Sequence, residues 1–317
     1  MKDRLFIFIC FAAAAFLLPA FFKKEASVSV QTPVIPETLS IYITETKEIR
    51  TITHEEYLTG CLAAQIPLDY EQEALNAQAA AAMTYAGRLI ADLAGKAELP
   101  DGADISDSTS LCQPYYTPEK CAAVFGGSYE EYLPKLKIAA EYGRNHIITH
   151  ENQPIYAVYH SVSSGRTNSA EGIWGRSFDY IRSVDSHWDK DYTNYECRNE
   201  MTAEQARLCL VNYKSDIVTP ADYSKWFSEF NADENGYVIS VKIGENLFSG
   251  GDIWRIFGLR STAFTVEYTD GIFTFATKGY GHGAGLSQYG ANEMAKQGKT
   301  AEEILKYYYS GVQTGGK

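Results

Sequence analysis

The sequence predicts an α+β protein in which an N-terminal single membrane-spanning helix precedes one mixed globular body, built on an Ala-rich central helix and antiparallel strands. Three observations carry that expectation. Leu5 to Phe22 is an apolar run of 18 residues without a charge, just long enough to cross a hydrocarbon core of about 30 Å. Ala74, Ala77, Ala79, Ala80, Ala81, Ala82 and Ala86 crowd one stretch of helical character, where high helix propensity combines with too little side-chain bulk to keep neighbours away. Helical patterns cluster early and late while strand-like runs occupy the middle, the segregated order of an α+β fold.

Lys2 and Arg4 precede the apolar run and Lys23 and Lys24 follow it. A cleaved signal peptide is the rival reading, but its apolar stretch is usually about 7–15 residues and KKEAS is a poor cleavage site. The expectation is therefore a stub and anchor over 1–24, with the rest of the chain exported. Residues 25–38 carry Pro33 and Pro36 among small residues and read as a linker. A folded body is expected over 39–313. It opens with SIYIT and EIRTI, β-branched runs that suggest a hairpin. Tyr57, Leu58, Cys61, Leu62 and Ala64 have helical spacing from Glu55 to Gln65, and Pro67 closes that helix. The Ala-rich helix follows from about Glu71 to Leu93, then a loop from Leu99 to Cys121 and a helix from Glu131 to Tyr142. HIITH, PIYAVYHSV, YVISVKI, FTVEYT and IFTFAT read as strands. Thr202–Val211 and Ser224–Phe230 read as helices within an insertion over 188–235. From Gly281 to Gly311 a Gly-rich turn runs into two helices.

The chain has 317 residues, 45% hydrophobic and 21% charged, which excludes a disordered tail, a collagen-like fibre and a multi-span transporter. Its net charge is −12, and −15 once Met1 to Lys24 is set aside. That balance argues against nucleic acid and other polyanions as partners held by charge. Cys10 lies in the apolar run and five cysteines lie beyond it, so at least one thiol is free, metal-bound or intermolecular. Cys112 with Cys121, and Cys197 with Cys209, are near enough in sequence to bridge, but sequence does not fix their geometry. No phosphate-binding loop, dinucleotide fingerprint, H-E-x-x-H or G-x-S-x-G is present.

Three segments stand apart: EEYLTGCLAAQIPLDYEQEALNAQAAAAMTYAGR from Glu55 to Arg88, YHSVSSGRTNSAEGIWGRSFDYIRSVDS from Tyr159 to Ser186, and GYGHGAGLSQYGANEMAKQGKTAEEILKYYYSG from Gly279 to Gly311. In content and order they resemble the stage II sporulation protein D/LytB family. The resemblance implies a membrane-anchored, peptidoglycan-directed protein, working extracytoplasmically between mother cell and forespore during engulfment. Its implied substrate is the glycan strand, its implied activity that of a lytic transglycosylase, and its implied partners other wall hydrolases of the engulfment machinery. One carboxylic acid can run such a reaction. It protonates the glycosidic oxygen, then as carboxylate takes the proton of the sugar's own 6-hydroxyl, which closes an anhydro ring.

In the family's motif that acid stands immediately before the Ile/Met-Pro pair; here the position is Gln65. An amide keeps the shape of Glu and still donates and accepts hydrogen bonds, but it has no dissociable proton. Glu171, within SAEGIWG, matches an acidic position of the second motif and is the candidate substitute acid. The substrate-binding residues implied are His160, Ser161, Ser163, Thr167, Trp174 and Tyr180 from the second motif, and His282, Ser287, Gln288 and Tyr289 from the third. Some members carry a His and two thiols as zinc ligands. Only Cys112 of that pattern remains, with Ser106 and Pro100 at the other spacings, so neither zinc nor another cofactor is expected. Two functions stay open: a transglycosylase-like protein with impaired or lost cleavage, and a non-catalytic glycan-binding module that positions or stimulates a wall amidase.

Overall fold

The computed structural model describes residues 37–93 and 98–315. Strands β1 (Thr38–Ile43) and β2 (Glu48–Thr53) form the antiparallel hairpin that the β-branched runs predict. Thr53 then caps α1 (His54–Gln65), its hydroxyl accepting from the Glu56 N–H, and Glu55 and Glu56 occupy the first turn, where the helix dipole favours acids. The helix stops at Gln65 because Pro67 holds Ile66 extended, at φ −137° and ψ 145°. In α2 (Gln72–Leu93) all seven alanines named above are buried. After β3 (Ile105–Ser106), which pairs parallel to β1, come α3 (Pro118–Phe125) and α4 (Ser128–Asn145). A Cβ at Gly143 of α4 would lie 2.6 Å from the carbonyl carbon of Ala79. The two helices therefore meet backbone to backbone, which the small residues on both sides allow.

The stretch expected as one strand over PIYAVYHSV is broken. Only β5 (Gln153–Pro154), paired with β4 (Ile148–His150), and β6 (Tyr159–His160) are strand. Between them Val158 N–H bonds the Tyr156 carbonyl at 2.8 Å, a three-residue turn that bends the run. The second half of the chain continues with α5 (Ala170–Trp174), a 3₁₀ turn His187–Asp191, β7 (Glu196–Thr202), α6 (Ala203–Tyr213) and a second 3₁₀ turn Tyr223–Lys225. Then follow β8 (Phe227–Ala232), β9 (Val238–Ile243), β10 (Asn246–Ser249), α7 (Gly250–Phe257), β11 (Phe264–Thr269) and β12 (Ile272–Lys278). The chain closes with β13 (Leu286–Ser287), α8 (Gln288–Lys296), α9 (Ala301–Tyr308) and β14 (Gln313–Thr314). The helix expected at Ser224–Phe230 is instead a 3₁₀ turn entering β8. Pairing of Phe227 with Ile243 and packing of its ring on Phe273 and Phe275, at 5.5 and 5.6 Å, override local preference.

The fold class needs one correction. No helix among the described residues is long and apolar enough to cross a membrane. The anchor expected at Leu5–Phe22, and most of the linker expected before residue 39, lie outside the described residues. What the structure shows is a mixed α/β globular body. One core joins the hairpin to α1 and α2, and a second lies between α2 and the closing helices α8 and α9. Another, around Trp226, Phe273 and Phe275, belongs wholly to residues 203–275. Because α2 is walled by two of these cores, elements on both sides are placed by it, including α1, which ends on Gln65.

Candidate functional site

Gln65 is the last residue of α1 and only 4% exposed. Its Nε2 donates to the Pro114 carbonyl at 2.7 Å, and its Oε1 accepts from the Tyr159 hydroxyl. That hydroxyl also faces Gln113 Oε1, while Gln113 Nε2 is committed to Tyr57 Oη at 2.7 Å and the Ala82 carbonyl at 2.8 Å. One phenol proton thus serves two amide oxygens. Burial pushes the Tyr159 phenol well above its usual range, so it stays a donor. The Pro114 carbonyl can only accept, which requires a donor from position 65. An amide supplies one; a carboxyl supplies one only while protonated.

Successive strand residues point to opposite faces, and β6 divides the predicted site accordingly. Tyr159 faces Gln65, whereas His160 packs behind the strand with its ring 5.7 Å from that of His282. His160 Nδ1 donates to the Ala284 carbonyl at 3.0 Å, which leaves Nε2 unprotonated, buried and without a partner among the described residues. His282 Nδ1 accepts from Ala284 N–H at 3.0 Å. Burial, then the neighbouring His282, lowers His160 to about 3; burial lowers His282 to about 4. Both imidazoles are neutral near pH 7. Half-buried Trp174 packs beside His282, the ring centroids 5.4 Å apart. The turn that carries His282 hugs the strand: a Cβ at Gly285, where φ is +71°, would lie 2.0 Å from the Val158 carbonyl oxygen.

Several predicted hydroxyl and amide groups are occupied by the protein itself. Thr167 Oγ1 accepts from Val184 N–H at 2.9 Å and donates to the Arg182 carbonyl at 3.3 Å. Ser163 Oγ accepts from Gly165 N–H at 3.1 Å. Ser287 caps α8 by accepting from Gly290 N–H at 3.2 Å. Gln288 Nε2 donates to Gln78 Oε1 at 3.3 Å, and the Tyr180 hydroxyl accepts from Tyr156 N–H at 3.2 Å. Ser161 and Tyr289 are half-buried and adjacent, joined by Tyr289 N–H to the Ser161 carbonyl at 3.0 Å. Glu171 is exposed on the first turn of α5 and is not among the groups bonded to Gln65.

Sequence reasoning missed Asp189, which lies in the 3₁₀ turn with no periodic pattern to mark it. It is fully buried. Its two oxygens accept from Ser163 N–H and Ser287 Oγ–H, both at 2.8 Å, tying the second motif to the third. Burial raises it to about 6, against the opposing effect of the serine hydrogen bonds. Also missed was Tyr237, which enters β9. Its hydroxyl accepts from Ser164 N–H and donates to the Arg166 carbonyl, both at 3.0 Å. Tyr195 adds a bond to the Ser164 carbonyl at 2.7 Å. The SSGRT turn is therefore braced by Tyr237, which precedes β9, and by Tyr195, which precedes β7.

The five described cysteines are all free thiols. Cys112 Sγ accepts from Ser106 N–H at 3.4 Å, and burial raises its ionisation to about 11. Among the described residues no group of three or more His, Cys, Asp or Glu is arranged to hold a metal ion.

Comparison with known proteins fits this geometry into a family. A family model described as stage II sporulation protein matches residues 42–150. Stage II sporulation protein D of Bacillus subtilis (strain 168) is 35% identical over 292 residues, covering 92% of this chain and 82% of that protein. Its counterpart in Bacillus amyloliquefaciens is 34% identical over 281 residues, 87% of this chain and 78% of that protein. The amidase enhancer of Bacillus subtilis (strain 168) is 25% identical over 304 residues, 80% of this chain and 40% of that protein. With identity of this extent over most of this chain and most of both sporulation proteins, the chain belongs to the stage II sporulation protein D family.

Proposed function

We propose that this protein acts on peptidoglycan glycan strands during engulfment, on a lytic transglycosylase frame whose cleavage is impaired or lost at Gln65. The observation that carries the reading is the cradle of Gln65, between an obligate acceptor on Pro114 and a hydroxyl on Tyr159. That cradle suits an uncharged hydrogen-bonding group, and the amide itself has no dissociable proton to give. Loss of acid–base assistance typically costs about 10²–10⁴-fold, and here one group would serve both proton transfers. A second reading is favoured by the likeness to an amidase enhancer: the protein holds glycan and positions or stimulates a wall amidase. Both readings use a neutral sugar backbone, for which a chain of net charge −12 is no obstacle. No zinc or other cofactor is required by either.

The deciding experiment incubates the full-length protein with purified glycan strands, with and without stem peptides, and assays anhydro-ended products from wild type, Gln65→Glu and Glu171→Gln. Strand binding with little or no turnover, and cleavage gained by Gln65→Glu, is the expected pattern. Wild-type turnover abolished by Glu171→Gln would assign that residue as the substitute acid. A wild type that neither binds nor cuts strands sinks the proposal. For the second reading, a purified wall amidase is assayed with and without the protein; an unchanged rate removes it.

A further inference from the structure

Several buried or half-buried tyrosines of this protein have their hydroxyls engaged. Tyr57 is bonded by Gln113, Tyr195 donates to the Ser164 carbonyl, Tyr237 to the Arg166 carbonyl and Tyr309 to the Val158 carbonyl. Tyr70, Tyr192 and Tyr289 are among those whose hydroxyls are not. Each is half-buried, and among the described residues none of their hydroxyls has a hydrogen-bond partner. They also lie together. The rings of Tyr192 and Tyr289 meet edge to face with centroids 5.2 Å apart. Tyr70 joins them at α8, where the N–H of the next residue, Glu71, donates to Asn292 Oδ1 at 2.8 Å, three residues along that helix from Tyr289.

The group is linked to the Gln65 cradle through the chain and through Tyr159. Tyr70 follows Gln65 by five residues, on the segment that leaves α1. Tyr289 is tied through its N–H to the Ser161 carbonyl, two residues beyond Tyr159. Tyr70 and Tyr159 border the same core. Tyr192 terminates the 3₁₀ turn that Asp189 pins to both motifs. Three separate segments thus bring aromatic faces and unsatisfied hydroxyls to one margin of the site. A pyranose ring matches that pairing, since its C–H face packs on an aromatic ring while its hydroxyls both donate and accept.

We propose that Tyr70, Tyr192 and Tyr289 form a subsite for one neutral pyranose ring of the glycan strand, adjoining Gln65. The subsite rests on the glycan-strand reading given above and extends it to Tyr70 and Tyr192, which lie outside the motif residues assigned to binding. The test measures affinity of the full-length protein for glycan strands freed of stem peptides. Tyr192→Ala and Tyr70→Ala are each expected to weaken binding about tenfold, and the Phe variants, which keep the ring and the packing, by about threefold. Tyr213→Ala, an exposed aromatic on α6, serves as the control and is expected to leave affinity unchanged. Unfolding curves of every variant separate loss of binding from loss of fold; the Phe variants decide the matter where an Ala variant does not fold. Wild-type binding that all Tyr70 and Tyr192 variants retain overturns the subsite and leaves the glycan reading in place. Losses seen only with peptide-bearing strands overturn it too, because the residues would then recognise the stem. A wild type with no affinity for either strand overturns both.

Discussion

The Tyr159 hydroxyl and the Gln65 amide oxygen are hydrogen-bonded across a separation of 94 residues, joining β6 to the last residue of α1. The same hydroxyl faces Gln113 Oε1, so removing it orphans two buried oxygens at once. Tyr159→Phe is expected to destabilise the protein by about 1–3 kcal/mol, the cost of unsatisfied buried acceptors, in denaturant unfolding. A cost within experimental error would show that the two amides reorient to satisfy each other.

Gln65→Glu introduces a buried carboxyl whose neighbour at 2.7 Å is a carbonyl oxygen. The protonated form donates to that oxygen as the amide does, whereas the ionised form is both desolvated and repelled. Its folded-state pKa is therefore raised above that of an unfolded Glu, about 4.3. Stability is fully present below the unfolded value and falls as pH rises from there towards the folded one. The melting temperature of the variant, relative to wild type, is expected to drop between pH 4.5 and pH 8. An equal deficit at both ends would contradict the cradle described here.

Asp189 makes an independent pH prediction. Its folded value of about 6 lies above the ordinary 3.8, so its contribution to stability declines as pH climbs between those two values. The span corresponds to a loss on the order of 3 kcal/mol. Asp189→Asn keeps an acceptor for Ser163 N–H and removes the titration. The stability difference between variant and wild type should move in the variant's favour from pH 4 to pH 7, by parallel denaturant titrations. A difference that does not vary with pH would place the ionisation elsewhere.

Gly143→Ala tests the contact between α4 and α2. A methyl group 2.6 Å from the Ala79 carbonyl carbon forces the helices apart, and overpacking of this kind costs about 1–3 kcal/mol. Alanine has the better helix propensity, so a stabilised variant would mean that the helices separate freely.

Metal content is expected to be negligible. Cys112 is a buried thiol held protonated and bonded by Ser106 N–H. Elemental analysis of purified protein should find far less than one zinc per chain, and a chelator should leave the melting temperature unchanged.

How much of this was legible in the sequence depends on the range of the interaction. Thr53, Pro67 and the alanines of α2 act within a few residues of themselves, so the hairpin, both early helices and the position of Gln65 could be read directly. The capping box of α7, Ser249 with Asp252, was also readable but sits before paired glycines that weaken any helical pattern. Long-range effects were not readable. The β6 alternation separates Tyr159 from His160, yet the adjacent letters give no sign that one faces Gln65 and the other Ala284. Asp189 is one acid among 40 Asp and Glu residues, and only the folded chain shows it buried between Ser163 and Ser287. Aromatic pairing converts Ser224–Phe230 from an expected helix into the start of a strand for the same reason.

The bracing of the SSGRT turn by Tyr237 and Tyr195 bears on how this architecture can diversify. A segment attached only by its two ends can be lengthened, exchanged or lost between relatives without consequence for its host. The stretch 203–275 is not attached in that way, because its Tyr237 hydroxyl and Asn235 carbonyl complete the bonding of a turn in the host body. Any relative that trims or replaces it must find other partners for Ser164 and Arg166, or accept a looser turn. Modularity here is limited by the reach of Tyr237 and Asn235.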